Sequence, residues 1–242
     1  MLSIVMPAHN EAGYLETAVR EVHHGLRARG HDIEVLVVEN GSTDDTLAIA
    51  QRLADELAAV RVSSRAVADY GAALREGVLA SEGEFVVTFD VDYYDLGFVD
   101  QALALLDRAD RPAVIVVGSK RAPGARDERV WPRRLVTMVF SGLVRVVFSL
   151  SVSDTHGMKA MRRASVEPLV GDCRFRTDLF DTELVIRAER AGLVTAELPV
   201  TAQERRPSRT PIWRRVPRTL VGMIELRLTL WREGRGTDGK AA

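Results

Sequence analysis

The sequence has one cysteine and almost no net charge, and both scarcities exclude classes of protein. A single thiol, Cys173, cannot form an internal disulfide or a cysteine zinc site. Lys and Arg number 33 against 34 Asp and Glu, so the overall charge favours no nucleic acid as a partner. Hydrophobic residues make up 46% of the 242 positions, which is typical of a globular chain. One domain is the simplest expectation for that length.

Long apolar segments are missing as well. No basic segment followed by an apolar run opens the sequence, so we expect no signal peptide. The longest apolar run, residues 135–150, is shorter than the ~20 residues of a membrane-spanning helix and contains Arg145. We therefore expect a soluble, cytoplasmic protein.

Common catalytic motifs are also absent. No G-x-G-x-x-G follows a predicted strand, which disfavours a nicotinamide-dependent enzyme, and no G-x-x-x-x-G-K-[ST] phosphate loop occurs. Neither the H-E-x-x-H zinc motif nor the G-x-S-x-G nucleophile motif is present.

The first half contains a regular alternation of short apolar runs and helically spaced segments. Continuous runs of Val, Ile and Leu predict an α/β fold with a mainly parallel sheet and helices on both faces. Ligands of such sheets bind at the carboxyl ends of the strands. Strands are predicted at 3–6, 34–38, 60–63, 84–89 and 113–117, and helices at 12–29, 47–57, 71–81 and 98–108.

The second half is less regular. The basic segment 118–134 contains Pro123, Gly124 and Pro132 and is predicted to be a loop. The segment 134–150 is predicted to be a helix, although its many valines leave a strand open. Further helices are predicted at 178–191 and 218–232, a strand at 194–200, a loop at 204–211 and a flexible tail at 235–242.

Asp90-Val91-Asp92 directly follows a predicted buried strand. In extended backbone, residues two apart point to the same side, so the two carboxylates are expected to meet where ligands bind. Two negative charges at such a short distance are costly unless a cation lies between them. A Mg²⁺ or Mn²⁺ ion shared with a diphosphate would supply that cation. The alternative is that two surface acids merely end a strand.

Two other polar segments, 7–11 and 39–42, follow predicted strands. Asn10, Glu11 and Glu39 could hydrogen-bond to a nucleobase or ribose. Asn10, Glu11 and Ser42 could equally cap the helices that follow.

Four segments of the first half form a set. They are Ser3-Ile4-Val5-Met6-Pro7-Ala8-His9-Asn10-Glu11, Val37-Val38-Glu39-Asn40-Gly41-Ser42-Thr43-Asp44, Gly71-Ala72-Ala73-Leu74-Arg75-Glu76-Gly77 and Phe89-Asp90-Val91-Asp92. Their order and spacing resemble the family 2 glycosyltransferases. The resemblance implies the GT-A fold, a nucleotide-sugar donor, and Mg²⁺ or Mn²⁺ held by Asp90 and Asp92. It implies donor binding by Pro7, His9, Asn10, Glu11, Glu39, Gly71, Asp90, Val91, Asp92, Ser208 and Arg209.

The second half carries a looser set. Its segments are Gly118-Ser119-Lys120-Arg121, Trp131-Pro132-Arg133-Arg134, Asp154-Thr155-His156-Gly157-Met158-Lys159, Glu183, Glu197-Leu198-Pro199-Val200, Arg205 and Ser208-Arg209. They are similar to those of dolichol- or polyprenol-phosphate mannose synthases and their glucosyl relatives. The resemblance divides one domain, 1–234, into a nucleotide-sugar half at 1–118 and an acceptor half at 119–234. It implies catalytic roles for Asp90, Asp92, Lys120 and Arg134 and acceptor binding by Arg121, Arg133 and Arg205.

Several positions depart from the usual pattern of that branch. Lys120 and Lys159 stand where Arg is common, and His156 stands where Ser is usual. The pair Tyr93-Tyr94 replaces residues that in some relatives include a metal-binding Gln, Glu39-Asn40 replaces two aspartates, and Met158 replaces an aromatic residue.

The resemblance also implies inversion by direct displacement at the anomeric carbon. A lipid phosphate is already anionic at pH 7 and needs no general base, whereas a sugar hydroxyl needs one, for which Asp181 and Glu183 are the candidates. An anionic acceptor requires cations, and the basic segments around 120–134 and 205–209 suit phosphate. The alternatives are a sugar hydroxyl of a cell-envelope glycan or small molecule as acceptor, a nucleotidyltransferase, and a non-catalytic nucleotide-binding protein.

The predicted helices at 134–150 and 218–232 are amphipathic. Either could lie in a membrane interface beside anionic lipid or pack on the core. We predict peripheral attachment at the inner face of the cell membrane. The residues concerned are the polar stripe Thr137, Ser141, Arg145 and Ser149 and the apolar side Leu220, Ile224, Leu228 and Trp231.

Overall fold

The computed structural model describes residues 1–175, 179–202 and 212–238. The strands are β1 Leu2–Ala8, β2 Ile33–Asn40, β3 Val60–Arg65, β4 Phe85–Thr88, β5 Ile115–Ser119, β6 Arg126–Asp127, β7 Lys159–Arg162, β8 Thr195–Pro199 and β9 Thr201–Ala202. The helices are α1 Leu15–Ala28, α2 Thr46–Glu56, α3 Tyr70–Ala80, α4 Leu96–Leu106, α5 Trp131–Phe148, α6 Arg163–Asp172, α7 Phe180–Arg190 and α8 Ile212–Asp238.

Seven strands form one sheet in the order β3-β2-β1-β4-β7-β5-β8. Six of them run in the same direction, and β7 runs antiparallel between β4 and β5. The predicted α/β fold with a mainly parallel sheet is therefore confirmed.

Apolar residues cover both faces of the sheet. Ile4 and Met6 of β1 belong to a core that includes α1, α2 and α4, while Val5 between them belongs to a second core that includes α3, α6, α7 and α8. Because successive side chains of a strand point to opposite faces, burial on both sides requires the continuous apolar runs seen in the sequence.

The structure corrects the predicted boundaries of the second half. The segment 118–134 is not one loop, because Ser119 ends β5, residues Arg126–Asp127 form β6, and α5 begins at Trp131. Pro132 lies in the first turn of α5, where no backbone N–H is needed, so it starts this helix. A strand at 134–150 is excluded.

Other boundaries differ too. Helix α8 begins six residues before the predicted 218 and continues to Asp238, past the start of the predicted tail at 235. Strand β7 and helix α6 were not predicted at all. The predicted loop at 204–211 lies outside the described residues. Among the helices that are described, none combines the length and apolar character required to cross a bilayer.

Candidate active site

Strands β2, β1 and β4 lie side by side and end at the same edge of the sheet. Pro7 lies near the end of β1, Glu39 near the end of β2, and Asp90 two residues after β4. The parallel sheet therefore brings the three predicted donor segments together. Gly71, in the first turn of α3, follows the neighbouring strand β3.

The segments after β1 and β2 are joined by hydrogen bonds. The Asn10 backbone N donates to Ser42 Oγ over 2.9 Å, and Asn10 Oδ1 accepts from Thr43 N over 2.8 Å. His9 Nδ1 lies 2.8 Å from the Asn40 carbonyl oxygen. Tyr14 rather than Asn10 or Glu11 occupies the N-cap of α1, so the capping interpretation of those two residues is wrong.

Glu39 is buried beside this junction. Ser42 N donates to its Oε1 over 2.5 Å, and Ser64 Oγ donates to its Oε2 over 2.6 Å. Burial favours the neutral acid, but the two serines hold the pKa of Glu39 below its usual value. The carboxylate is therefore ionised at neutral pH.

Asp90 and Asp92 lie in a tight turn rather than in extended backbone. Strand β4 ends at Thr88, and Tyr93 N donates to the Asp90 carbonyl oxygen over 3.1 Å. The Val91 side chain is buried in the core, so it is not available to a nucleotide-sugar donor. The expectation that Asp90 and Asp92 lie in extended backbone is thus wrong. The charge of Asp92 nevertheless raises the pKa of Asp90.

The surroundings of Asp90 disfavour its negative charge. Burial is the largest cause, and together with the charges of Asp92 and Asp181 it raises the pKa of Asp90 to about 6. Tyr70 opposes this by donating its hydroxyl to Asp90 Oδ1 over 2.9 Å, and Lys159 does so through its charge. The site carries a surplus of negative charge that a bound cation would offset.

The residues present fit a hard divalent cation shared with a ligand. Two carboxylates lie in the turn, and the described part of the chain holds no group of three or more His, Cys, Asp or Glu able to form a complete metal site. Mg²⁺ and Mn²⁺ take oxygen ligands, and Mg²⁺ in particular binds through one or two carboxylates together with water and substrate phosphates.

Opposite the carboxylates, the segment after β5 meets the segment before β7. Lys120 Nζ lies 3.4 Å from Asp154 Oδ2 and donates to the His156 carbonyl oxygen over 3.2 Å. Although burial alone would raise it, the charge of Lys120 helps to hold the pKa of Asp154 below its usual value. The antiparallel strand β7 places Lys159 beside Thr88, and Lys159 Nζ lies 2.8 Å from Asp181 Oδ1.

The other residues predicted to bind the donor or the acceptor are described only in part. Arg121 and Arg134 are exposed, the latter in the first turn of α5. The Arg133 side chain and all of Arg205, Ser208 and Arg209 lie outside the described residues. The predicted roles of these residues remain predictions.

The two candidate general bases are each paired with a basic side chain. Asp181 pairs with Lys159, as noted above. Glu183 is fully buried, where Arg187 Nε donates to its Oε1 over 2.8 Å and the backbone N of Phe175 donates to its Oε2 over 2.8 Å. Glu183 therefore connects α7 to the preceding segment, and a proton-transfer role for it finds no support in this geometry.

Sequence reasoning missed three residues that contribute to the site. Tyr70 was overlooked although it directly precedes the selected Gly71. Asp154 belonged to a selected segment without being given a role. Arg129 had no signal of its own; Asp127 holds its guanidinium through bonds of 2.7 Å at Nε and Nη2, and Nη2 also donates to Thr137 on α5 over 3.2 Å.

Comparison with known proteins identifies the family. Residues 3–170 match the family described as Glycosyl transferase family 2. The chain belongs to the family 2 glycosyltransferases. It is 33% identical over 233 residues to the uncharacterized glycosyltransferase Rv0539 of Mycobacterium tuberculosis, a match that covers 96% of both chains.

Two further relatives are matched over a smaller part of their own length. Glycosyltransferase AglD of Haloferax volcanii is 30% identical over 235 residues, which cover 95% of this chain but only 37% of AglD. Polyprenol monophosphomannose synthase of Mycolicibacterium smegmatis is 29% identical over 216 residues, which cover 84% of this chain and 77% of the synthase. The resemblance to the family and to its polyprenol-phosphate branch is thus confirmed.

A solved structure supports the fold. Glucosyl-3-phosphoglycerate synthase from Mycobacterium tuberculosis superimposes with a TM-score of 0.60 at 23% identity, over 86% of this chain and 73% of that chain. The family 2 chain therefore has the GT-A fold predicted for it, and it is a glycosyltransferase.

Proposed function

We propose that this glycosyltransferase moves a hexose from a nucleoside-diphosphate sugar, GDP-mannose or UDP-glucose, to a polyprenyl or dolichyl phosphate with inversion. The observation that carries the proposal is the Asp90–Asp92 turn at the carboxyl edge of the sheet, with its surplus negative charge. The named relatives support the acceptor, because they include a polyprenol monophosphomannose synthase and a dolichyl-phosphate beta-glucosyltransferase.

Asp90 and Asp92 would hold Mg²⁺ or Mn²⁺ on the donor side. A divalent cation bound there would stabilise the charge that develops on the leaving nucleoside diphosphate. Glu39 and the joined segments after β1 and β2 would bind the nucleoside, since they border the same edge of the sheet. A related fold is known with Mn²⁺ and uridine diphosphate, in glucosyl-3-phosphoglycerate synthase.

The acceptor half supports an anionic acceptor. Glycosyl transfer to a hydroxyl requires a general base, but Asp181 is paired with Lys159 and Glu183 is fully buried. A phosphate monoester needs no base because its oxygen is already anionic at pH 7. Lys120, Arg121 and Arg134 would attract it, and Arg133 and Arg205 are proposed to bind it on the evidence of sequence alone.

The two amphipathic helices support a membrane location for the acceptor. Both α5 and α8 expose large apolar residues, among them Val146 and Ile224, and the two helices contact each other. The polar stripe of α5 partly turns inward, since Ser141 is buried and Thr137 accepts a bond from Arg129. Exposed Arg145 and Arg227 beside the apolar faces would favour anionic lipid. We propose that these faces rest on the bilayer surface.

The function can be tested by product extraction. Purified protein is incubated with Mn²⁺, a short polyprenyl phosphate and radiolabelled GDP-mannose or UDP-glucose, and label that moves into organic solvent is counted. Asp92→Asn should abolish transfer. Asp95→Asn is the matched control, because Asp95 caps α4 by accepting from Gly97 N over 2.8 Å and Asn caps helices equally well.

The same assay separates the alternatives. Label that stays in water as a new glycoside would indicate a sugar-hydroxyl acceptor. Release of pyrophosphate when a nucleoside triphosphate and a sugar 1-phosphate replace the sugar nucleotide would indicate a nucleotidyltransferase. Absence of any turnover with every donor, with nucleotide still bound, would support a non-catalytic binding protein and end the proposal.

A further inference from the structure

Tyr93, directly after the Asp90–Asp92 pair, carries a buried hydroxyl without a hydrogen-bond partner among the described residues. A buried polar group left unpaired costs free energy, so native proteins rarely keep one without a purpose. Tyr94, the next residue, differs in this respect because its hydroxyl donates to Glu21 Oε2 over 2.5 Å.

Several charged groups surround the Tyr93 side chain. Lys120 Nζ stands over its ring, 5.8 Å from the centroid. Burial raises the pKa of the phenol, the Asp154 carboxylate acts in the same direction, and the Arg129 guanidinium acts against it. Gly157 lies between Tyr93 and Lys120, since a Cβ there would stand 3.9 Å from Tyr93 Cε1 and 3.0 Å from Lys120 Nζ. Tyr93 therefore belongs to the same cluster as Lys120 and its partner Asp154.

Asp154 holds Lys120 only loosely. Its side chain is 1% exposed, so it needs a partner, yet both contacts from Lys120 to Oδ2, from the ammonium and from the backbone N, are 3.4 Å long. The other oxygen, Oδ1, accepts from His156 N over 3.0 Å. Oδ2 is thus the oxygen at which one donor could replace another.

No side chain of residue 157 stands beside the Lys120 ammonium, because Gly157 has no Cβ and one built there would be 3.0 Å from Lys120 Nζ. The proposed function requires Lys120 to bind a phosphate group. When it does so, Asp154 would lose its ion pair and keep only the long bond from the Lys120 backbone at Oδ2 and the bond from His156 N at Oδ1.

We propose that Tyr93 is a positioning residue that donates its hydroxyl to Asp154 Oδ2 when Lys120 turns to a substrate phosphate. The empty enzyme then has an unpaired phenol, and in the loaded enzyme the phenol and the Asp154 carboxylate pair with each other. The exchange moves hydrogen bonds only, with no covalent step. The inference rests on the proposed function, because that function supplies the phosphate.

Lysine-selective NMR can follow the exchange directly, since the chain has only three lysines, Lys120, Lys159 and Lys240. The Lys120 side-chain signal is assigned by its loss in Lys120→Arg. In the wild type, the signal should shift on titration with UDP and Mg²⁺ or with farnesyl phosphate. The ligand that moves it identifies whether the donor diphosphate or the acceptor phosphate is bound.

Tyr93→Phe tests the role of the hydroxyl. The variant should need roughly tenfold more ligand to shift the Lys120 signal, because Asp154 would then lose its replacement donor. Its unfolding temperature without ligand should equal or exceed that of the wild type, since an unpaired group has been removed. Tyr94→Phe, the matched control, should leave the Lys120 titration unchanged.

The outcomes separate this inference from the proposed function. If both ligands stabilise the wild type against heat but Tyr93→Phe titrates normally, or if its ligand-free unfolding temperature falls by several degrees, the inference alone is overturned. If neither ligand binds the wild type, the inference and the proposed function fail together.

Discussion

At the scale of single residues, Glu34 and Asp90 are two carboxylates with opposite surroundings. Glu34, at the amino end of the sheet, accepts from Ser3 Oγ, Glu82 N and Arg61 Nη1 over 2.5, 2.6 and 2.8 Å. Burial opposes ionisation, but these three donors hold the pKa of Glu34 below its usual value. Asp90 has a like charge on either side and a pKa raised to about 6. The donors around Glu34 stabilise its charge, whereas the surroundings of Asp90 disfavour its charge.

Replacing Glu34 should therefore destabilise the protein in a pH-dependent way. A lowered folded-state pKa contributes stability that is present above the unfolded-state pKa and is lost as pH falls through the folded value. We expect Glu34→Gln to lower the free energy of unfolding by about 1–3 kcal/mol at pH 7 and by less below pH 4, measured by urea denaturation. Glu82→Gln, at the exposed partner of Arg61, is the control and should change stability little.

Replacing Asp90 should raise the free energy of unfolding of the ligand-free protein, whereas replacing Glu34 lowers it. Because its folded-state pKa of about 6 exceeds the ordinary 3.8, stability is lost as pH rises between these values. Without metal or nucleotide at pH 7.5, the free energy of unfolding of Asp90→Asn should exceed that of the wild type by up to about 2 kcal/mol, measured through a higher unfolding temperature. At pH 4 the two proteins should be equally stable. Addition of UDP and Mg²⁺ should reverse the order. If Asp90→Asn unfolds above the wild type by the same temperature difference at pH 4 as at pH 7.5, this explanation is wrong.

The site was predictable where its residues adjoin in sequence. Asp90 and Asp92 form a compact motif, and the segments after β1 and β2 follow buried strands that the apolar runs reveal. Tyr70 and Lys159 could not be assigned to Asp90 in that way, since only the packing of α3 and the pairing of β4 with β7 bring them there. The tight turn at 90–93 was likewise missed, because the strand was assumed to continue.

At the scale of elements, β7 and α5 show why the second half was harder to predict. Strand β7 is four residues long and begins and ends with a basic residue, yet Lys159 is fully buried because Asp181 neutralises it. A lysine usually indicates an exposed position. In α5 the stripe is divided, because Ser141 is buried whereas Arg145 and Ser149 are exposed beside apolar Val146. In both elements the polarity of a side chain alone does not predict whether it faces solvent.

The exposed apolar faces of α5 and α8 give an element-scale prediction. Val146 is 79% exposed and Ile224 is 62% exposed, so a charge at either position leaves the core intact. We expect Val146→Glu and Ile224→Glu each to reduce binding to phosphatidylglycerol liposomes in low salt by roughly tenfold, measured by sedimentation. Val67→Glu, at a 72% exposed position before α3, should bind as the wild type does. Equal binding by all three variants would show that these helices do not meet the membrane.

At the scale of the whole molecule, β7 joins the two halves of the sheet. It pairs with β4 of the first half of the chain and with β5, and both pairings are antiparallel. The alternation of the first half predicted a parallel sheet but gave no sign of this insertion, because the partners of β7 are more than 40 residues away. Strand β7 begins at Lys159, and Lys120 directly follows its neighbour β5.

The buried pair of Lys159 and Asp181 connects this central strand to α7. Removing one partner of a buried ion pair leaves an uncompensated charge, so Lys159→Met should destabilise the fold by about 3–5 kcal/mol in urea denaturation. Lys159→Met combined with Asp181→Asn should recover much of the loss, because the orphaned charge is then absent. Arg108→Met, which breaks an exposed pair with Asp110, should cost less than about 1 kcal/mol. If the double variant is as unstable as the sum of the single ones, the two side chains do not stabilise each other, and β7 is held by its backbone pairing alone.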